Sequence, residues 1–344
     1  MKGRTILLDH INGREAAALM VDGKLDDLLI DDEDQPRVGA IFRAICDRPL
    51  KGQGGMMLRL PEGETAFLRQ TKGLRPGQAM LVQVTGYAEG TKAVPVTDRV
   101  LFKSRYAIVT PGAPGINVSR AIQDEEERAR ISAIGHAEME DDFGLILRSC
   151  CEGASDDDIA EDIQAMADLA RAVLGDAEGT EPEALTEGDG PHTIAWREWT
   201  IPAEVVTDEN CFEHQGVLDQ IEELKSPLVQ LGDGYTMYVE STRALVAVDV
   251  NTGGDTSPAA ALKANLAASR LLPRALQLRG FGGQVVVDFA PMSKANRRQL
   301  EQSLRASFKN AGIETSLVGW STMGLFEMQR KRERLPTLPL IGDI

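Results

Sequence analysis

The sequence predicts a mixed α/β fold, and three observations carry that prediction. Two Val-rich runs, 244–250 with Ala and 283–289, flank a helix-forming stretch at 258–278. Residues 38–107 alternate short β-forming runs with Gly/Pro turns. Residues 155–174 place Ile159, Ile163, Met166, Leu169, Ala170 and Leu174 at helical spacing. The 344 residues are 42% hydrophobic and 26% charged, a globular composition with room for two or three compact parts.

Taken in order, the opening is strand-rich: Thr5–Leu8, Glu15–Val21 and Leu28–Ile30, with a turn at Asp22-Gly23 and an acidic stop at 31–34. Five short strands follow, at Val38–Ile45, Gly55–Arg59, Thr65–Arg69, Met80–Val84 and Ala93–Val100. Five strands in about 70 residues suit an OB-fold, whose barrel binds single-stranded nucleic acid on one face. Phe67, Tyr87, Lys72 and Lys92 offer stacking and charge there. Spacing alone leaves Phe67 equally well a core residue.

A helix is predicted at 120–135 and a buried-type strand at Gly144–Arg148. The helix from 155 has Ser155 as its cap and three aspartates in its first turn, where the helix end favours negative charge. Residues 175–192 have the composition of a linker or insertion. The last third predicts a helix at Gly216–Leu224 and a hairpin of Met237–Glu240 with Ala244–Val250. Beyond these come a helix at Pro258–Leu278, a strand at Gly283–Phe289, a helix at Ala295–Asn310 and a last strand near Thr315–Val318.

The net charge of −16 argues against a nucleic-acid partner, but its distribution weakens the argument. Residues 152–190 hold thirteen acids against one arginine, a net of −12, which leaves about −4 for the rest. The four cysteines, Cys46, Cys150, Cys151 and Cys211, form no Cys-x-x-Cys pair and read as reduced thiols near a core, so no structural zinc is expected. No apolar run reaches the ~20 residues of a membrane span, and the basic N-terminus is broken by Asp9 too early for a signal peptide. The expectation is a cytoplasmic protein with no membrane partner.

The segment richest in chemistry is 244–292. Both Val/Ala runs read as strands buried on both faces, and each ends in an aspartate, Asp249 or Asp288. A strand–helix–strand crossover lays its strands parallel, so both ends fall on one sheet edge. If the strands are neighbours, the two carboxylates converge and repel unless a cation neutralises them. Oxygen ligands favour magnesium, with manganese as the alternative, and such an ion activates water and steadies phosphoryl charge. Asn251, two residues on from Asp249, shares its face and can orient a carboxylate or meet a phosphate oxygen. The Gly253-Gly254 turn lets backbone come close to a ligand. The same pattern is compatible with a magnesium-dependent phosphatase or phosphotransferase, and with strand-end aspartates that only form turns.

The words Glu240-Ser241-Thr242-Arg243-Ala244-Leu245, Val248-Asp249-Val250-Asn251, Gly254-Asp255, Asn265-Leu266, Gly282-Gly283, Val287-Asp288-Phe289 and Met292 occur in a distinctive order. With Gly324-Leu325-Phe326-Glu327-Met328, Arg330 and Arg332 they make residues 212–335 resemble the nuclease subdomain of the ribonuclease E/G family. The resemblance implies an RNase H-like and sensor part carrying an inserted OB-fold barrel of the S-one type, followed by a DNase I-like α/β nuclease subdomain. It implies these bounds: 1–34 as the start of the RNase H-like part, 35–107 as the barrel and 108–174 as the 5′-sensor-like region. An acidic linker with a shortened remainder then covers 175–211, and the catalytic subdomain 212–344.

It further implies a magnesium-dependent endoribonuclease that cuts single-stranded, AU-rich RNA to 5′-phosphate and 3′-hydroxyl products. The implied roles are metal ligation by Asp249 and Asp288, with Asn251 assisting Asp288. Phe67 and Lys92 are implied to contact RNA, and Arg148 and Ser149, in Gly144–Ser149, to contact a 5′-monophosphate. Three departures modify the expectation. The chain reaches Ile344 without the Cys-x-x-Cys segment that links family protomers through zinc, so a monomer or a homo-oligomer without a zinc link is expected. The stretch after the sensor-like region is shortened. Thr322-Met323 stands where the family has an arginine before the Gly324-Leu325 run. An RNA-binding protein of the same family without nuclease activity is the alternative.

Overall fold

The computed structural model describes residues 3–342 apart from 51, 53, 70, 71, 140–142 and 310. The chain folds into two compact units, one of residues 1–32 with 202–344 and one of residues 33–201. The N-terminal strands therefore belong with the C-terminal part of the chain.

The first unit opens with an antiparallel meander, β1 (Arg4–Ile11), β2 (Arg14–Val21) and β3 (Lys24–Ile30). Tight turns at Asn12-Gly13 and Asp22-Gly23 join these strands, and all four of these residues have positive φ, as two-residue hairpins require.

The chain then builds the second unit. β4 (Ile41–Leu50), β5 (Gly55–Arg59), β6 (Thr65–Leu68), β7 (Ala79–Val84) and β8 (Val94–Thr97) form a sheet of order β4-β5-β6-β8-β7, and β7 pairs back onto β4. This closed five-stranded barrel is the predicted OB-fold. Its interior holds Ala44, Cys46, Met56, Leu58, Ala66, Leu68, Val82 and Val96. Phe67 lies between Ala66 and Leu68, so the two-residue period turns it outward, and it takes no part in that core.

A second sheet follows, made of β9 (Phe102–Lys103), β10 (Ala107–Thr110), β11 (Gly115–Val118) and β12 (Gly144–Leu147), in the order β11-β12-β10-β9. Helices α1 (Glu125–Glu138) and α2 (Asp156–Gly175) cover it through Ile131, Ile159, Ile163, Ala167 and Ala170. Asp124 and Ser155 cap them by accepting from Glu127 and Asp158 N–H groups. The acidic stretch after α2 holds a further strand, β13 (Glu183–Thr186), paired antiparallel to β4. Arg43 gathers this stretch by donating to the carbonyls of Asp176, Glu178 and Glu181 and pairing with Glu183. Short α3 (Pro191–Glu198) closes the unit.

Back in the first unit, β14 (Glu204–Val206) adds parallel to β1. α4 (Cys211–His214) and α5 (Val217–Glu222) bury Phe212, Val217 and Ile221 against Leu7, Ala18 and Leu25 of the meander. A six-stranded sheet then forms from β15 (Leu228–Gly232), β16 (Tyr235–Ser241), β17 (Val246–Asn251), β18 (Gly283–Asp288), β19 (Thr315–Trp320) and β20 (Phe326–Arg330). Its order is β15-β16-β17-β18-β20-β19. Between strands run α6 (Pro258–Leu278) and α7 (Lys294–Lys309), and α8 (Thr337–Ile341) ends the fold. The expected end of α7 at Asn310 lies outside the described residues.

The sequence reading missed β15 and β20, segments of five residues each, although Phe326–Arg330 alternates as a half-buried strand does. It also read β17 and β18 as buried on both faces, and the structure corrects this. Val246, Val248, Val250, Val285 and Val287 are buried among α6 and α7 residues, while Ala247, Asp249, Gln284 and Asp288 are exposed. Alanine and valine on the second face imitate burial in composition without being buried.

Gly55 shows how tightly the barrel exterior is fitted. A Cβ there would lie 2.2 Å from the Phe67 ring and 2.8 Å from the Leu68 carbonyl oxygen. Gly55→Ala is expected to destabilise the protein by roughly 1–3 kcal/mol in urea unfolding, the usual range for overpacking. A variant within about 0.5 kcal/mol of wild type contradicts that fit.

Candidate active site

The strongest site is the exposed face of the six-stranded sheet. β17 and β18 pair in parallel with Asp249 directly in register with Asp288. Strand spacing puts the two residues about 4.8 Å apart across the ladder. Both are exposed, and among the described residues neither forms an ion pair with a Lys or Arg. The Asn251 amide donates to Asp249 Oδ2 at 2.8 Å, so in this structure it orients Asp249 rather than Asp288.

The surrounding backbone is firmly held. Asn265 of α6 is fully buried and clamps the chain just beyond Asp288: its amide donates to the Ala290 carbonyl at 2.8 Å, and the Ala290 N–H donates to its side-chain oxygen at 3.0 Å. Ser257 caps α6 by accepting from Ala260 N–H. Asp255 accepts from the Ser257 N–H at 2.9 Å, and that hydrogen bond holds its carboxyl below the ordinary range. Gly253 has φ +61°, and a Cβ there would come within 3.1 Å of the Gly234 carbonyl. Its need for glycine thus comes from the neighbouring turn. Arg297, in the first turn of α7, lies over the Trp320 ring at 4.2 Å, and Trp320 donates to Glu301 at 2.7 Å.

The donor set suits a hard divalent cation. It consists of carboxylate and amide oxygens, with no thiolate or imidazole that would favour zinc. Two carboxylates leave most of the coordination sphere to water and phosphate oxygens, the usual manner of a magnesium site.

The second unit places the other predicted residues. Phe67 lies outward on the barrel, paired across strands with Met57 and Pro95. Lys92 is largely exposed and pairs with Glu89 at 2.7 Å, a surface contact worth little against a competing phosphate. Ser149 is exposed in a short turn of 3-10 helix. Arg148 is engaged: it pairs with Glu198 at 2.6 Å and donates to the carbonyls of Ser104, Arg105 and Arg197. Lys103 and Arg197 reach the same carboxylate at 2.7 and 2.8 Å. Arg105 stands beside them over the Trp196 ring.

Sequence reasoning named only Arg148 and Ser149 of this cationic cluster. Lys103, Arg105 and Arg197 come from segments with no motif; Glu198 gathers Lys103 and Arg197 with Arg148, while Arg105 is held over the Trp196 ring. Asn265 has a sequence signal of its own, as a lone amide on the apolar face of a helix.

Burial alone would raise the Glu198 carboxyl, but the Lys103 hydrogen bond and the charges of Lys103, Arg148 and Arg197 outweigh it and hold the group at about 2. Its ordinary value in an unfolded chain is about 4.3. The stabilisation is therefore complete above about 4.3 and is lost as pH falls through about 2. Glu198→Gln is expected to lower stability at pH 7 by on the order of 2 kcal/mol, with the gap to wild type narrowing from pH 5 to pH 3. A gap that stays constant over that range contradicts the assignment.

Comparison with known proteins gives the same grouping. The chain matches the Ribonuclease E/G family over residues 102–200 and 199–333. It is 28% identical to Ribonuclease G of Salmonella typhimurium (strain SL1344) over 302 residues, which cover 76% of this chain and 61% of that one. It is 27% identical to Ribonuclease E of Nostoc sp. (strain PCC 7120) over 313 residues, 79% of this chain and 46% of that one. With Ribonuclease E of Synechocystis sp. (strain PCC 6803) the identity is 26% over 386 residues, 96% and 57%. The chain thus spans about half to three fifths of the length of these relatives. Barrel, carboxylate pair and sequence match converge: the chain belongs to the ribonuclease E/G family.

Proposed function

We propose that the chain is an endoribonuclease that hydrolyses single-stranded RNA with a divalent cation, magnesium or manganese, in cytoplasmic RNA processing or decay. The observation that carries this reading is the in-register pair Asp249–Asp288 on an open sheet face, with Asn251 bonded to the first carboxylate. Membership of a family whose relatives are named ribonucleases supports the reaction class.

Asp249 and Asp288 would hold the cation, and Asn251 fixes the rotamer of Asp249 and so the direction of its lone pairs. A cation held there would supply neutralising charge at a phosphate oxygen and a more acidic water. Hydrolysis that breaks the bond between phosphorus and the 3′-oxygen would leave a 5′-phosphate and a 3′-hydroxyl. The exposed face lets an extended strand lie across the carboxylates, which a site buried on both faces would exclude.

Phe67 and Lys92 serve as the RNA contacts of the barrel, through base stacking and phosphate attraction. Arg148 and Ser149 contact a 5′-monophosphate. A phosphate there competes with Glu198 for Arg148, and Lys103, Arg148 and Arg197 outnumber Glu198 and Asp189, the carboxylates they pair with, which favours the exchange. AU-rich single strands are the proposed substrates.

The test is cleavage of a fluorescently labelled AU-rich RNA bearing a 5′-monophosphate, with magnesium present or chelated. Wild type is expected to make internal cuts only with the metal. Asp249→Asn and Asp288→Asn are expected to lose on the order of 100-fold or more in rate while still binding the RNA. Unchanged cleavage in either variant refutes the carboxylate site. Binding by wild type without any metal-dependent cut refutes the nuclease reading in favour of an RNA-binding protein.

A further inference from the structure

The register of the six-stranded sheet extends the carboxylate pair into a row of four. Leu228 of β15 lies opposite Tyr238 of β16, Tyr238 opposite Asp249, and Asp249 opposite Asp288. These residues share the face that α6 and α7 do not cover. Tyr238 is 39% exposed, its neighbours Met237 and Val239 point into the core, and among the described residues its hydroxyl makes no hydrogen bond. Leu228 beside it is half-buried.

An exposed tyrosine in the middle of a sheet leaves a large apolar ring in water with no partner of its own. Here the ring stands one strand, about 4.8 Å, from Asp249. Directly opposed side chains on adjacent strands come within contact of each other. Leu228 extends the apolar surface by one more strand, so the pair offers a floor about two strands wide, close to the dimensions of one nucleobase. The next row, Gln230, Thr236 and Asn251, is polar and borders this floor on one side. Glu240 and Ala247 border it on the other.

We propose that Tyr238, with Leu228 beside it, is a base-stacking subsite for one of the two nucleotides that flank the scissile phosphate. The subsite rests on the nuclease reading of Asp249 and Asp288, and it deepens that reading by assigning what positions the RNA at the carboxylates. A single strand without a stacking surface slides past an exposed pair of acids, which repel its phosphates. A ring one strand away holds one base and so fixes which phosphate lies over the carboxylates. Stacking accepts any base, because every base has a π face. Tyr238 thus acts as a positioning residue.

The test compares wild type with Tyr238→Phe, Tyr238→Leu and Tyr238→Ala, first by cleavage of RNAs carrying a single abasic nucleotide at successive positions around the cut. Tyr238→Ala and Tyr238→Leu are expected to lose about 5- to 100-fold in kcat/KM on intact RNA, the range that one lost stacking contact covers. Tyr238→Phe keeps activity within about 2-fold of wild type, since the ring is retained. One flanking abasic position slows wild type by the same factor and leaves Tyr238→Ala unaffected. An abasic penalty equal in wild type and Tyr238→Ala overturns the subsite, as does full activity of Tyr238→Ala.

A binding arm separates this result from failure of the nuclease reading. RNA carrying 2-aminopurine beside the cut position, titrated in calcium, is expected to be quenched by wild type and Tyr238→Phe but not by Tyr238→Leu. If wild type does not cleave, that difference in quenching still supports the stacking surface, and equal quenching by all variants overturns it. Tyr238→Leu keeps an apolar residue in the strand, so its loss cannot be ascribed to unfolding when its melting curve matches wild type.

Discussion

The parallel pairing of β17 with β18 is the constraint on which the candidate site depends. Two like charges at about the strand spacing repel by roughly 1 kcal/mol in water and about 3–4 kcal/mol in the environment of a protein surface. No described Lys or Arg offsets this by an ion pair. The register is nevertheless enforced from the other face of the sheet. Val246, Val248, Val250, Val285 and Val287 are buried with Ala264, Ala268, Leu272, Leu300 and Leu304. A slip of one residue would turn these valines into water and the aspartates into the core. Hydrophobic burial on one face thus holds an electrostatic conflict on the other, where a cation and a phosphate can resolve it.

The same economy appears in the connections. Asn265 satisfies both backbone groups of Ala290, so the chain leaving Asp288 is fixed by a side chain on the crossover helix itself. Removing that amide would strand two buried peptide groups, each costly without a partner. In the second unit Glu198 plays a comparable part with opposite charge. One carboxylate gathers Lys103, Arg148 and Arg197, which would otherwise repel one another. The chain is acidic overall, yet Lys103, Arg148 and Arg197 gather positive charge locally, so the net charge does not describe this surface.

Much of this was legible in the sequence. The barrel could be read because its strands are short, β-branched and punctuated by Gly and Pro. The crossover could be read because Pro258 and Gly280 bracket a helix between two Val-rich runs. The carboxylate pair followed from the two aspartates at the strand ends. Other features were hidden for physical reasons. Exposed Ala247 and half-buried Val286 look fully buried in composition, so the open face was missed. The contacts of Arg148 depend on Glu198, fifty residues away, and no periodicity reports such a pairing. Tyr238 matters only through its register with Asp249, which requires knowing where the hairpin turns. The structure turns it at 242–245, after a strand longer than the one expected.

The central claim is that Asp249 and Asp288 together form one site for a divalent cation, and direct metal binding tests it without reference to RNA or turnover. Manganese titrated into wild type, Asp249→Asn and Asp288→Asn, with free ion followed by electron paramagnetic resonance, gives the stoichiometry in each. One saturable site per chain in wild type, lost in both variants, is the predicted result. Equal binding in wild type and either variant contradicts the account, because the carboxylate pair would then have no share in holding the ion.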